Sequence, residues 1–147
     1  MALDYFRSLG QRFDRPVLPE STHANELLGG CVAHFGFTVL YAGAGGVYSD
    51  SNETQQGRLI EVVEACRTAM QTRGLVSLVD DIETRTMRYE AYLAAYECLI
   101  EIGLVPEPPP SLDAYLDGAL WYPFDNVGVE IGADGTVSGP RVECAVP

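Results

Sequence analysis

Apolar residues recur every three or four positions along most of this chain, which predicts helices, and give way to alternation in a few stretches, most clearly near the C-terminus. Residues 1–20 form an N-terminal arm: Leu3, Phe6 and Leu9 line one side of a short amphipathic helix, and Pro16–Pro19 make a connector that cannot continue it. From Leu27 to Ser49 run 23 residues without a formal charge, long enough to cross a bilayer. Six of them are glycines (29, 30, 36, 43, 45 and 46), which dilutes the hydropathy. A helix buried on nearly all sides fits better, started by Ser21 or Thr22, with Gly30, Ala33 and Gly36 as a small-residue strip against a neighbouring helix. The alternation Phe35, Phe37, Val39, Tyr41 keeps open a break from helix into strand.

A polar cluster from Tyr48 to Glu53 separates this segment from a second helix, with Asp50 or Ser51 as its N-cap, an apolar stripe of Leu59, Val62, Val63, Cys66 and Met70, and Gly74 at its end. A third helix over 77–102, about 39 Å long at 1.5 Å per residue, places Ile82, Tyr89, Tyr92, Tyr96 and Leu99 on one stripe. Gly103 and the prolines 106, 108, 109 and 110 stop it and make a stiff extended connector before a short helix at Ser111. After Trp121, Val127, Val129 and Ile131 alternate with polar positions, Ala133–Thr136 is a turn, and Val137 opens a return strand resuming over 141–146. The expected fold is therefore α+β and mostly helical: one domain over 1–147, with an arm (1–20), a core of three or four packed helices (21–120) and a C-terminal β-hairpin (121–147).

Charge changes the picture more than any motif. Twenty-one Asp and Glu stand against nine basic residues, all arginine, for a formal charge of −12. That sign repels nucleic-acid phosphates and anionic bilayers and attracts basic proteins. Cys31, Cys66, Cys98 and Cys144 are scattered through apolar stretches without a C-x-x-C pair, so they are expected as four reduced core thiols of a cytoplasmic protein. The N-terminus shows no secretory signal, in keeping with that compartment.

Candidate chemistry is sparse. Cys31 and His34 could be two zinc ligands, but His23 is the only other histidine, and packing explains the pair better. Gly43-Ala-Gly-Gly resembles a phosphate loop only faintly, and a chain without lysine cannot hold a Walker A site; a Gly-rich turn is the expectation. The acid pairs Glu61/Glu64, Asp113/Asp117 and Glu97/Glu101 read as solvated helix faces, because the Glu-x-x-His of a carboxylate di-metal site is absent. No enzyme activity, metal or cofactor is expected.

One arrangement does suggest a function. Glu83, Glu90 and Glu97 recur every seven residues on the third helix, drawing a line of negative charge beside the tyrosine stripe and near Asp80, Asp81 and Glu101. Acids rimming aromatics are the composition of a docking surface for a basic protein, and Trp121, the only tryptophan, is either a core plug or a further interface anchor. A short, strongly acidic, motif-poor chain with such a line resembles, in overall character, the bacterial immunity proteins that protect a cell from toxin domains delivered by its neighbours. That resemblance implies a cognate toxin, often a nuclease, whose basic active-site cleft is occluded by acidic side chains. The alternatives are a structural or adaptor subunit, homodimeric through the tyrosine stripe, and a small-ligand binder or enzyme using Gly43–Gly46 and buried carboxylates.

Overall fold

The computed structural model describes residues 2–10 and 16–147. In chain order it contains α1 (Ala2–Leu9), α2 (Thr22–His34), β1 (Thr38–Gly43), β2 (Gly46–Asp50), α3 (Gln56–Thr72), α4 (Ile82–Glu101), α5 (Leu112–Leu116), β3 (Glu130–Ile131), β4 (Val137–Ser138) and α6 (Pro140–Glu143). The class is α+β. Two compact units divide the chain, one ending at Leu78 and the other spanning Val79–Val146, so a boundary falls inside the stretch expected to be a single helical core from 21 to 120.

In the first unit, α1, α2 and α3 share a core that includes Phe6, Leu28, Cys31, Val32, Cys66 and Met70. Phe6 is fully buried, so the segment expected as an arm is a wall of this core. Ser21 caps α2, its Oγ accepting from the Ala24 N–H at 3.2 Å. The helix then stops earlier than its uncharged sequence implied. Gly36 takes a φ of +95°, a left-handed conformation that glycine adopts without penalty, and its N–H closes on Ala33 O at 3.0 Å.

Beyond it the chain is extended, and β1 pairs antiparallel with β2 through the tight turn Ala44–Gly45. The break into strand that the alternation left open is thus real, but it begins at Thr38. The small-residue contact is shared between two neighbours: a Cβ at Gly30 would stand 2.6 Å from the Tyr5 hydroxyl of helix α1, and one at Gly29, outside the expected strip, 2.2 Å from the Ala42 Cβ of strand β1, whereas Gly36 meets nothing within 4 Å. Asn25 locks the same junction, its Nδ2 donating to Gly43 O at 2.9 Å from a buried position. Leu40 sits at the register shift between Val39 and Tyr41 and projects outward, 59% exposed.

The cysteines correct the sequence reading outright. Cys31 on α2 is disulfide-bonded to Cys66 on α3, and Cys98 on α4 to Cys144 just beyond α6, leaving no free thiol. Cys31 and Cys66, 35 positions apart, meet where α2 packs on α3, and Cys98 and Cys144, 46 apart, where α4 meets the chain just past α6. The apolar setting that suggested reduced core thiols is equally that of a buried disulfide, and the argument from thiols to cytosol falls with it.

The second unit is organised by aromatic rings. Asp81 caps α4, accepting from the Thr84 N–H at 2.8 Å, so the helix starts at Ile82 rather than 77; Ile82 is 70% exposed, off the expected stripe. Tyr89, Tyr92 and Tyr96 pack around Trp121 with ring centroids 5.8–6.2 Å apart. Trp121 Nε1 donates to Glu107 O at 3.0 Å and Tyr89 OH to Pro110 O at 2.7 Å, fastening both ends of the Pro-rich segment to this cluster. Ser111 caps α5, and its Tyr115 is buried. The C-terminal pairing is smaller than expected: β3 and β4 exchange only Glu130↔Ser138 and Ile131↔Val137, and the return strand over 141–146 is replaced by α6, which Pro140 opens at a position where its missing N–H costs nothing.

Candidate partner-binding surface

Charge is divided very unequally between the two units. Thirteen of the 21 acidic residues but only three of the nine arginines lie in Val79–Val146, a net of −10 out of −12. All thirteen acids are exposed, whereas Arg85, Arg88 and Arg141 are half-buried. The arginines are turned inward for visible reasons. Arg85 lies over the Tyr115 ring at 5.1 Å, donates to Tyr115 O and pairs with Asp80 at 3.3 Å. Arg141 lies 5.6 Å and 5.8 Å from the Tyr122 and Phe124 ring centroids and donates to the Tyr122 hydroxyl. The charge that this unit shows to water is therefore mostly anionic.

Within that surface the sequence-selected acids separate into two groups. Asp80 and Asp81 serve the helix: one holds Arg85, the other caps α4. The Thr84 N–H, then the Thr84 hydroxyl, hold the Asp81 carboxyl below its ordinary value. Glu83, Glu90, Glu97 and Glu101 are exposed, and none of them has an ion-pair partner among the described residues. From Glu83 to Glu97 the line extends about 21 Å along α4. Helix stability does not account for its C-terminal end. The last turn holds no basic residue, and Glu97 and Glu101 form a like-charged i,i+4 pair at the negative pole of the helix dipole.

The aromatic half of the expected docking surface is not there. Tyr89 and Tyr92 are buried and Tyr96 half-buried beneath Trp121, itself only 6% exposed, so Trp121 is a core plug rather than an interface anchor. The same burial removes the tyrosine stripe as a homodimer face. Gly43–Gly46 forms the β1–β2 turn, with Tyr41 OH donating to Ala44 O at 2.7 Å and Tyr48 OH to Gly45 O at 3.1 Å, so the carbonyls of its loop are taken. Among the described residues no carboxylate is buried, which leaves the enzyme alternative without the groups it invoked. Cys31 cannot ligate a metal while bonded to Cys66, and His34 rests on Tyr5 with ring centroids 4.8 Å apart.

Not foreseen from the sequence is a cleft of about 370 Å³ in the second unit, whose lining includes Leu104, Val105, Glu107, Asp125, Val127 and Pro140. The signal that could have directed attention to this unit was the charge asymmetry between the chain's halves, readable by counting acids after residue 78. No protein-family model matches the chain, and no curated protein or solved structure matches it either.

Proposed function

We propose that this protein binds and neutralises a basic protein partner through the anionic surface of residues 79–146, in the manner of an immunity protein masking a toxin domain. The observation that carries this reading is the partition of charge: thirteen exposed acids and three inward-turned arginines in one unit. A solubility role alone would be served by acids spread over both units, whereas concentration on one focuses the field that steers a basic partner to it. The Glu83, Glu90 and Glu97 line is the centre of the docking face, and the exposed, helix-destabilising placement of Glu97 and Glu101 supports selection for something other than stability.

No helix among the described residues is long and apolar enough to cross a membrane. The two disulfides favour an oxidising compartment over the cytosol, and with it a partner met outside the reducing interior rather than a nuclease at work on cytosolic nucleic acid. The test is neutralisation. A cognate basic toxin domain should lose its toxicity or enzymatic activity when the chain is added and regain most of it when Glu83, Glu90 and Glu97 are all changed to arginine. A chain that leaves that activity untouched, or a triple variant that protects as well as the wild type, contradicts the proposal.

A further inference from the structure

The cleft at the base of α4 gives the anionic surface a specific receptor. Its lining is mixed: Leu104, Val105, Val127 and Pro140 supply apolar surface, and Glu107 and Asp125, both exposed, also line it. Val105 is 94% exposed, so a large aliphatic side chain stands open to solvent at the mouth. At about 370 Å³ the space is at the small end of ligand pockets, which run from about 300 to 1,000 Å³.

Both sides of the cleft are held in place. Glu107 is fixed from behind by the Trp121 indole on its carbonyl at 3.0 Å, in a run of four prolines between 106 and 110 that has little freedom of its own. Opposite, Asp125–Val127 is a closed turn: Asp125 N–H donates to Tyr122 O at 3.2 Å, Val127 N–H to Phe124 O at 2.9 Å, and Asn126 takes a left-handed φ of +62°. Such a site loses little order on binding, which leaves more of the contact energy as affinity.

We propose that this cleft takes an arginine side chain presented by the basic protein partner; the inference rests on the function proposed above. The three-methylene stem would lie along the apolar part of the lining, and the guanidinium, planar and more weakly hydrated than an ammonium, would fork its N–H donors to Glu107 and Asp125. A lysine would supply the charge but not the planar fork. A neutral apolar side chain would gain nothing from the two carboxylates, and an anionic ligand would meet a unit carrying −10.

The experiment uses the full-length chain with its disulfides intact and two probes, hepta-arginine and hepta-lysine peptides, titrated by calorimetry at low salt. Two variants leave the charge unchanged. In Gly128→Leu the new side chain grows into open space at the cleft's edge, since a Cβ at Gly128 meets no atom within 4 Å. In Val105→Ser a side chain too exposed to matter for folding loses its apolar surface, so the inference stays testable if the leucine variant fails to fold. The wild type should prefer hepta-arginine, and each variant should weaken hepta-arginine at least tenfold, to the level of hepta-lysine. If both variants bind hepta-arginine like the wild type, the arginine-receptor inference is overturned while the anionic docking surface stands. If neither peptide binds the wild type, the inference falls together with the function it rests on.

Discussion

Gly29 of α2 lies so close to Ala42 of β1 that a Cβ built on the glycine would stand 2.2 Å from the alanine Cβ. Real Cβ atoms do not approach this closely, so Gly29→Ala must push the helix off the hairpin, loosening the Asn25 to Gly43 hydrogen bond as well. Overpacking of this kind costs about 1–3 kcal/mol. Gly57→Ala is the control: it lies in α3 with nothing within 4 Å of its Cβ, and should be neutral or stabilise by up to about 1 kcal/mol. Urea unfolding of both variants checks the contrast, and equal stability of the two would remove the close approach from the account.

The disulfides make a compositional prediction. Alkylation of the denatured protein without reductant should find no free thiol, and peptide mapping should link Cys31 to Cys66 and Cys98 to Cys144. Closing loops of 35 and 46 residues constrains the unfolded chain by about 4 kcal/mol each on the chain-entropy account, so reduction should lower the melting temperature sharply. Four alkylated cysteines in protein from its native compartment would restore the reduced, cytosolic reading.

Some elements written in local chemistry were legible in the sequence, although the second helix begins at Gln56 rather than behind a cap at Asp50 or Ser51 and the third at Ile82 rather than 77; those depending on distant partners were not. Ser21, Gly74 and Ser111 mark helix ends because capping and left-handed turns involve neighbours in sequence. The Asp134–Gly135 turn was legible for the same reason, with Gly135 at φ +84°. By contrast, four apolar-embedded cysteines look alike whether reduced or paired, since pairing is set by how α2 meets α3 and how α4 meets the segment after α6. The tyrosine stripe was correctly placed on one side of α4, but periodicity cannot tell a stripe open to a partner from one covered by Trp121. Glu83, Glu90 and Glu97 are exposed as expected, because charge is rarely buried unpaired, while Glu107 and Asp125 acquire meaning only when residues 104–107 and 125–128 come together around one cleft.

Two carboxylates carry a pH signature. Asp81 is held low by the Thr84 N–H and hydroxyl, and Asp134 by the Thr136 hydroxyl and N–H. A folded-state value below the ordinary 3.8 means that the stabilising contribution is complete above 3.8 and is lost as pH falls through the folded value. Carboxyl-carbon NMR should place both titration midpoints below 3.8, and Asp81→Asn, which keeps a capping oxygen, should flatten the acid limb of the stability curve. A midpoint above 3.8 for Asp81 would contradict the cap.

The C-terminal end of α4 should show a trade between stability and binding. Changing Glu97 and Glu101 together to glutamine removes a like-charged i,i+4 pair from the negative helix pole and should stabilise the fold by about 0.5 kcal/mol. The same variant should bind hepta-arginine more weakly. Loss of stability on making this change would mean that the two glutamates serve the fold after all.

The central claim is that docking belongs to the anionic unit rather than to the net charge of the molecule, and the most direct measurement is the association rate with fluorescent hepta-arginine across a range of salt. Charges at a docking rim steer encounter and are screened over about 8–10 Å at physiological ionic strength. Two triple variants alter net charge equally: Glu83, Glu90 and Glu97 to arginine on α4, and Glu53, Glu61 and Glu64 to arginine in the first unit, all exposed positions. The account predicts that the α4 variant associates at least tenfold more slowly than wild type with a flattened salt dependence, while the first-unit variant stays within about twofold to threefold. Equal slowing in both would reduce the effect to the overall field, and unchanged rates in both would contradict the claim that this surface binds a basic partner at all.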